Sequence, residues 1–145
     1  MMGKIRILCV DDDVPQLTII SAVLKKEGYE VDIAHDGYEG LEKALTFKPH
    51  LIVLDIMMPG LDGYRVLKKL QADPETARIG VLLLTAKGGV DRATAEAAEF
   101  AGRVKDRMIG FELGALEFLT KPVKAKELVH RVKAVLWACG TEDTA

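Results

Sequence analysis

Short apolar segments that end abruptly in polar residues limit the possible folds of this chain more than any other feature. Ile5–Val10 runs into three consecutive aspartates, Asp11–Asp13, and Leu51–Leu54 runs into Asp55. Apolar runs of this length, rich in β-branched residues, are typical of strands buried on both faces. A carboxylate is costly to bury without a partner, so we expect these aspartates to stay out of the core and to gather beyond the strand ends.

Helical patterns alternate with the apolar segments. Strands are predicted at Ile5–Val10, Val31–Ala34, Leu51–Leu54, Val81–Leu84 and Glu117–Thr120. Helices are predicted from near Pro15 to Gly28, from an N-cap at Asp36 to Pro49, from about Asp62 to Pro74 and over Lys124–Ala138. In the second helix, Leu41, Ala44 and Leu45 are expected to face the core. The alternation predicts an α/β fold in which a parallel sheet lies between two layers of helices.

The composition is typical of one globular domain. Of the 145 residues, 49% are hydrophobic and 29% charged, and the net charge of −2 argues against a general attraction to nucleic acid. No apolar stretch reaches the length of a membrane span, and no secretory signal opens the chain. We therefore expect a cytoplasmic protein in which Cys9 and Cys139 are reduced.

The polar residues that follow the strands are expected to meet. In an open parallel sheet, ligands bind in the crevice beyond the carboxyl ends of the strands. Asp11, Asp12 and Asp55 would repel one another there, and a hard divalent cation bound through oxygen is the simplest compensation. Asp13 has two interpretations, metal binding or the N-cap of the first helix, and we favour the cap because the helix starts beside it.

Four motifs resemble those of a known family, the receiver domain of two-component response regulators. They are Cys9-Val10-Asp11-Asp12-Asp13, Leu54-Asp55-Ile56-Met57-Met58-Pro59-Gly60-Leu61-Asp62-Gly63, Leu84-Thr85-Ala86-Lys87 and Phe118-Leu119-Thr120-Lys121-Pro122. The resemblance implies a doubly wound, flavodoxin-like, five-stranded parallel sheet with strand order 2-1-3-4-5. It also implies that residues 1–145 form a single receiver domain, with its core at about 4–138 and a polar tail at 139–145.

The resemblance assigns a role to each residue at the strand ends. Asp55 would be the phosphoacceptor, a nucleophile that forms an acyl phosphate. Asp12, Asp55 and the backbone carbonyl of Met57 would bind Mg²⁺, or Mn²⁺ in its place, while Asp11 would act through a coordinated water. The groups that would bind the phosphoryl oxygens are the Thr85 hydroxyl, the Ala86 backbone amide and the Lys121 amine, with a cis peptide between Lys121 and Pro122.

Signalling requires a conformational change. The resemblance implies that Thr85 moves towards the phosphate while the aromatic residue Phe118 turns inward. Permanent packing of Phe118 in the core is the alternative, and both interpretations stay open. Met57 and Lys87 occupy the positions that would tune the phosphate lifetime. The side chains of Met57 and Met58 are expected to pack within their loop rather than to bind metal.

The chain departs from the family pattern between Thr85 and Lys121, an interval longer by roughly four helical turns. We assign the extra residues to an insertion at about 91–105, which predicts an extended fourth-helix region. An apolar stripe follows helical spacing there: Ala97, Phe100, Val104, Met108 and Phe111. The 91–111 region is predicted to contact a second copy of the chain or a target protein, and a folded-back helical hairpin is the alternative.

The predicted function is to accept a phosphoryl group on Asp55 from a histidine kinase or histidine phosphotransfer protein. The switch would then change partner binding at the face of the fourth helix, fifth strand and last helix, and the output protein or domain stays unknown. An Asp-nucleophile phosphatase of the haloacid dehalogenase type would use Asp11–Val14, but it leaves Pro59 and Lys121 unexplained. A phosphate-independent scaffold would need a defective site, and no residue is missing. We therefore expect a signalling domain that promotes its own phosphorylation and dephosphorylation, rather than an enzyme.

Overall fold

The computed structural model describes residues 3–85 and 116–141. These ranges contain five strands: β1 (Arg6–Val10), β2 (Glu30–Ala34), β3 (Leu51–Asp55), β4 (Gly80–Thr85) and β5 (Leu116–Thr120). They also contain the helices α1 (Val14–Lys26), α2 (Gly37–Thr46), α3 (Gly63–Ala72) and a C-terminal helix (Ala125–Ala138). None of these helices is long and apolar enough to cross a membrane. The predicted insertion at 91–105 and the rest of the apolar stripe to Phe111 lie outside the described residues.

The five strands form one parallel sheet in the order β2-β1-β3-β4-β5, which confirms the predicted fold class. Side chains alternate between the two faces of the sheet, so that Leu8 packs in the layer under α2 and α3, and its neighbour Ile7 in the layer under α1 and the C-terminal helix. Because both faces are buried, the strands carry continuous apolar runs in the sequence.

Both cysteines are free, as predicted. Cys9 lies in β1 within the second core layer, and Cys139 packs against the same layer from the end of the C-terminal helix. Burial raises the pKa of the Cys9 thiol to about 12, so this side chain behaves as a small apolar residue.

Aspartates begin three of the helices. Each accepts a hydrogen bond from a backbone N–H three residues further along: Asp13 from Gln16, Asp36 from Glu39 and Asp62 from Arg65. A cap of this kind typically contributes about 1 kcal/mol. The two interpretations of Asp13 are thereby resolved in favour of the N-cap.

The prediction for Leu45 is wrong, since this side chain is 42% exposed. Ala44 is buried and Leu41 packs against the core from a half-buried position. The inner face of α2 is narrow because Gly40 brings the helix close to β1. A Cβ atom on Gly40 would lie 3.0 Å from a methyl group of Val10. Leu45 is turned by about 100° from Ala44 around the helix axis and so falls outside that face.

The amino ends of β1 and β3 are joined by a hydrogen-bonded network. The Arg6 guanidinium donates to the carbonyl oxygens of Phe47 and Lys48 at the end of α2, and its backbone N–H donates to His50 Nδ1 at 3.0 Å. The Nδ1 atom of His50 therefore carries no proton and accepts this hydrogen bond. Burial, and then the positive charge of Arg6, lowers the pKa of His50 below its usual 6.5.

We predict that His50 makes the fold less stable as the pH falls. The unfolded chain takes up a proton on this residue below about pH 6.5, whereas the folded chain resists it, so stability is lost as the pH drops through that value. His50→Asn keeps an acceptor for the Arg6 N–H and removes the titration. Its urea-unfolding free energy should depend less steeply on pH between about 7 and 5. A pH dependence equal to that of the wild type would contradict this, and His130→Asn, at an exposed histidine, is the control.

Gly63, the first residue of α3, lies directly against the backbone that carries Asp55. A Cβ atom on Gly63 would overlap the Asp55 carbonyl oxygen and lie 2.8 Å from Ile56 Cα. The Gly63 N–H donates to the Ile56 carbonyl at 3.0 Å. Since the neighbouring atoms are backbone, glycine is the residue that allows α3 to start this close to β3.

We predict that Gly63→Ala destabilises the chain by roughly 1–3 kcal/mol, because backbone must move to admit the methyl group. The measurement is urea unfolding, with Gly3→Ala as the control, because nothing lies within 4 Å of a Cβ atom at that position. Equal stability of the two variants would show that the contact is relieved without cost.

Candidate functional site

Three carboxylates meet at the carboxyl edge of the sheet, as predicted. One oxygen each of Asp11, Asp12 and Asp55 lies within 4.8 Å of the others. Asp11 is 1% and Asp55 2% exposed, whereas Asp12 is exposed to solvent. The expectation that these aspartates stay out of the core is therefore wrong for Asp11 and Asp55. Their burial is possible because each has hydrogen-bond partners, and no buried side-chain nitrogen or oxygen within residues 3–85 and 116–141 lacks one.

Asp55 ends β3 and is paired with Lys121. The Lys121 amine lies 3.0 Å from Asp55 Oδ1, and the backbone N–H of Met57 donates to the same oxygen at 3.4 Å. Lys121 follows β5, and its backbone N–H donates to the Thr85 carbonyl at 2.8 Å. The peptide bond between Lys121 and Pro122 is cis, as the resemblance implied. The structure thus brings together the acid of β3 and the cation that follows β5.

Asp11 is held through both of its oxygens. Oδ1 accepts from the backbone N–H of Asp13 at 3.0 Å, and Oδ2 accepts from the Gln16 amide at 2.7 Å. Burial raises the pKa of Asp11 above its usual 3.8, and the neighbouring carboxylate of Asp55 acts in the same direction. The Asp13 N–H and the Lys121 charge oppose these effects without cancelling them. Three carboxylates and one amine meet at this edge of the sheet, so negative charge is in excess there.

Thr85 is the last residue of β4, one position beyond the partner of Asp55 in the strand register. Its hydroxyl lies 3.5 Å from that of Thr120, the residue opposite it on β5. Phe118 is half-buried and packs against the core layer under α2 and α3. This position is compatible with both interpretations of Phe118.

The two methionines of the loop after β3 differ in their exposure to solvent. Met58 is buried in the core layer under α2 and α3 and Met57 is 53% exposed, so the prediction that both side chains pack within their loop is wrong. Met57 follows the strand end by two residues and lies at the rim of the site. Ala86 and Lys87, predicted to bind phosphate and to tune its lifetime, lie outside the described residues.

Two side chains that reach the site, Gln16 and Thr120, were not predicted from the sequence. Gln16 reaches Asp11, and Thr120 reaches Thr85. A glutamine three residues after an N-cap aspartate is a recognisable signal of a side chain that turns back towards the start of the helix. Thr120 carries no comparable signal, because its contact depends on the register between β4 and β5.

The donor set fits a hard divalent cation. It consists of three carboxylate oxygens within 4.8 Å of one another, two of them on buried side chains, with a net negative charge after Lys121 is counted. Mg²⁺ and related ions prefer such oxygen ligands. A bound cation would also offset the repulsion between the carboxylates of Asp11 and Asp55. The cluster of Asp11, Asp12 and Asp55 could therefore hold a metal ion.

Known proteins share both the sequence and the fold. The family model of the response regulator receiver domain matches residues 7–133. The chain is 39% identical to the DNA-binding dual master transcriptional regulator RpaA of Synechocystis sp. and 42% identical to the alkaline phosphatase synthesis transcriptional regulatory protein PhoP of Bacillus subtilis, each over 131 residues. Both matches cover 90% of this chain and 48% of the relative, so the chain spans about half the length of these relatives.

Solved structures agree with this assignment. A CheY-like response regulator receiver domain protein from Methanospirillum hungatei superposes with a TM-score of 0.79 at 28% identity, covering 97% of this chain and 100% of that one. A response regulator described as putative, from Chloroflexus aurantiacus, superposes with a TM-score of 0.74 at 33% identity, covering 93% and 99%. The motifs, the strand order and these matches agree, and the chain belongs to the response regulator receiver domain family.

Proposed function

We propose that this chain accepts a phosphoryl group on Asp55 from a phosphohistidine of a histidine kinase or phosphotransfer protein, in a reaction that depends on Mg²⁺. The observation that carries the proposal is the Asp55 carboxylate, 2% exposed, with the Lys121 amine at 3.0 Å from one oxygen and the other carboxylates beside it. A carboxylate and a phosphoryl group are both anionic. A site that accepts the phosphoryl group must therefore offset negative charge, and these residues can do so.

In the proposed transfer, a carboxylate oxygen of Asp55 attacks the phosphorus atom of the donor. A new oxygen–phosphorus bond forms while the bond from phosphorus to the donor nitrogen breaks, and its electron pair returns to the imidazole, which takes a proton from solvent. Lys121 would stabilise the phosphoryl oxygens, and the Thr85 hydroxyl and the Ala86 amide would donate hydrogen bonds to them. Positioning and charge account for most of the acceleration in such reactions.

Asp12, Asp55 and the Met57 carbonyl would bind the Mg²⁺ ion directly, Asp11 would act through a coordinated water, and Mn²⁺ would serve as a substitute. When bound, the cation offsets the charge of the carboxylates and of the incoming phosphoryl group. The chain's own part is to place the acids: β1 positions Asp11 and Asp12, and β3 positions Asp55. Gly63 supports this arrangement because it packs against the Asp55 backbone.

The proposed output begins at Thr85. Its hydroxyl lies near Thr120 and its carbonyl accepts from the Lys121 N–H, so a movement of Thr85 towards the phosphate would disturb the end of β5. Phe118 lies on that strand and could fill the vacated space. The face that includes β5 and the C-terminal helix would then change its affinity for a partner. The 91–111 region remains our proposed contact for a second copy of the chain or a target.

The Asp-nucleophile phosphatase is less well supported. Such an enzyme would use Asp11 as the nucleophile and Asp13 as its acid or base, but Asp13 is the N-cap of α1. The Lys121 amine pairs with Asp55 rather than with Asp11 in the ion pairs of the described chain. A phosphate-independent scaffold has no specific observation in its favour.

Phosphorylation is expected at Asp55 alone. The chain is incubated with acetyl phosphate and Mg²⁺, and the modified residue is located by mass spectrometry. Asp55→Asn should abolish labelling, because the amide is not a nucleophile towards phosphorus. Asp73→Asn is the matched control, since Asp73 caps a turn through its side chain and an asparagine can keep that contact. Label on Asp11, or an undiminished label in Asp55→Asn, would contradict the assignment and favour the phosphatase.

Mg²⁺ is expected to stabilise the chain against thermal unfolding. Binding to the folded state alone adds about 2.7 kcal/mol when the free ion is at 100 times its Kd. The effect should weaken in Asp12→Asn, remain in Asp73→Asn and disappear with a chelator. Thermal scans at matched ionic strength separate the effect of Mg²⁺ binding from that of charge screening by salt. Identical unfolding with and without Mg²⁺ would rule out the metal dependence, while the labelling experiment still decides the phosphoacceptor.

A further inference from the structure

Gln16 connects the first turn of α1 to the acidic cluster. Its Nε2 atom lies 2.7 Å from Asp11 Oδ2, a short hydrogen bond to a carboxylate that is 1% exposed. The amide nitrogen has to face Asp11, because an ionised carboxylate accepts hydrogen bonds and cannot donate them. The first turn of α1 therefore supplies a donor to one of the three clustered acids.

This contact replaces the usual one at that helical position. A glutamine three residues after an N-cap commonly accepts the backbone N–H of the cap residue. Here Asp11 Oδ1 accepts the Asp13 N–H at 3.0 Å, and the Gln16 side chain turns its nitrogen to Asp11 Oδ2. One carboxylate is thus held by a backbone donor on one oxygen and a side-chain donor on the other. It cannot rotate without breaking one of these bonds.

The restraint leaves Asp11 able to act on a cation. Each carboxylate oxygen can accept two hydrogen bonds, so one acceptor position remains on each oxygen after the Asp13 and Gln16 contacts. An oxygen of Asp11 lies within 4.8 Å of oxygens of Asp12 and Asp55. Asp11 is therefore oriented towards the shared site by hydrogen bonds from within the chain.

We propose that Gln16 is a positioning residue for cation binding, which acts by holding Asp11 in the orientation that faces the cation site. The inference rests on the proposed function, because it takes Mg²⁺ as the cation. A ligand that is already oriented loses less conformational freedom on binding, so the affinity is higher without any contact between Gln16 and the ion. Outer hydrogen bonds of this kind typically change metal affinity by about tenfold or more.

The test is a double-mutant cycle on Mg²⁺ affinity, measured by isothermal titration calorimetry. The variants are Gln16→Met, Asp11→Asn and their combination, and Met is chosen because it keeps the length and helix propensity of Gln without the donor. We expect Gln16→Met to raise the Kd for Mg²⁺ by about tenfold when Asp11 is present. In the Asp11→Asn background the same change should alter the Kd by less than about twofold, because Gln16 acts through Asp11.

Gln71→Met is the matched control. It makes the same side-chain change in α3, where the Gln71 amide donates to the Ala77 carbonyl at 3.5 Å, and it should bind Mg²⁺ like the wild type. Gln16→Leu repeats the test with a second side chain that lacks a donor.

Three outcomes decide against the inference. Wild-type affinity in both Gln16→Met and Gln16→Leu would overturn it. An equal loss of affinity with and without Asp11 would also overturn it, because Gln16 would then act only through the general stability of α1. Absence of Mg²⁺ binding by the wild type would remove the proposed metal dependence and this inference together, which distinguishes it from the first two results.

Discussion

Repulsion between carboxylates buried at one edge of the sheet is the constraint on which the rest of the structure depends. Asp11 and Asp55 are almost completely removed from water, so their charges are poorly screened. Burial raises the pKa of Asp11, and the neighbouring Asp55 carboxylate acts in the same direction. A fold that places these groups together has to supply compensation from elsewhere in the chain.

The compensation comes from two separate parts of the chain. Lys121, after β5, pairs with Asp55; the start of α1 supplies the Asp13 N–H and the Gln16 amide to Asp11. Lys121 is in turn bonded to the carbonyl of Thr85 at the end of β4. The site therefore draws together the carboxyl ends of β1, β3, β4 and β5. The proposed phosphorylation of Asp55 would change the charge at the point where these four strands end.

Close packing of α2 and α3 holds the strands that carry the acids in place. Gly63 allows α3 to begin against the backbone of Asp55, and Gly40 allows α2 to approach Val10 in β1. At the opposite edge of the sheet, the Arg6 guanidinium donates to a carbonyl oxygen at the end of α2. The backbone N–H of Arg6, the first residue of β1, donates to His50. The strands that carry the acids are thus fixed at both ends, so that contacts within the chain hold their side chains at defined distances.

The order of residues was enough to predict the alternation of strands and helices, the parallel sheet, the Asp13 and Asp36 caps and the group of acids at one edge. These features follow from local periodicity, helix-start signals and motif spacing, which are written in consecutive residues. The strand order and the partnership of Asp55 with Lys121 came from resemblance to a family. Folding in three dimensions was needed to show that Asp11 and Asp55 are buried, that Leu45 and Met57 are exposed, and that Gln16 and Thr120 reach the site. Each of these depends on which group lies opposite a side chain in space, and a pattern along the chain records the polarity of a residue without recording its partner.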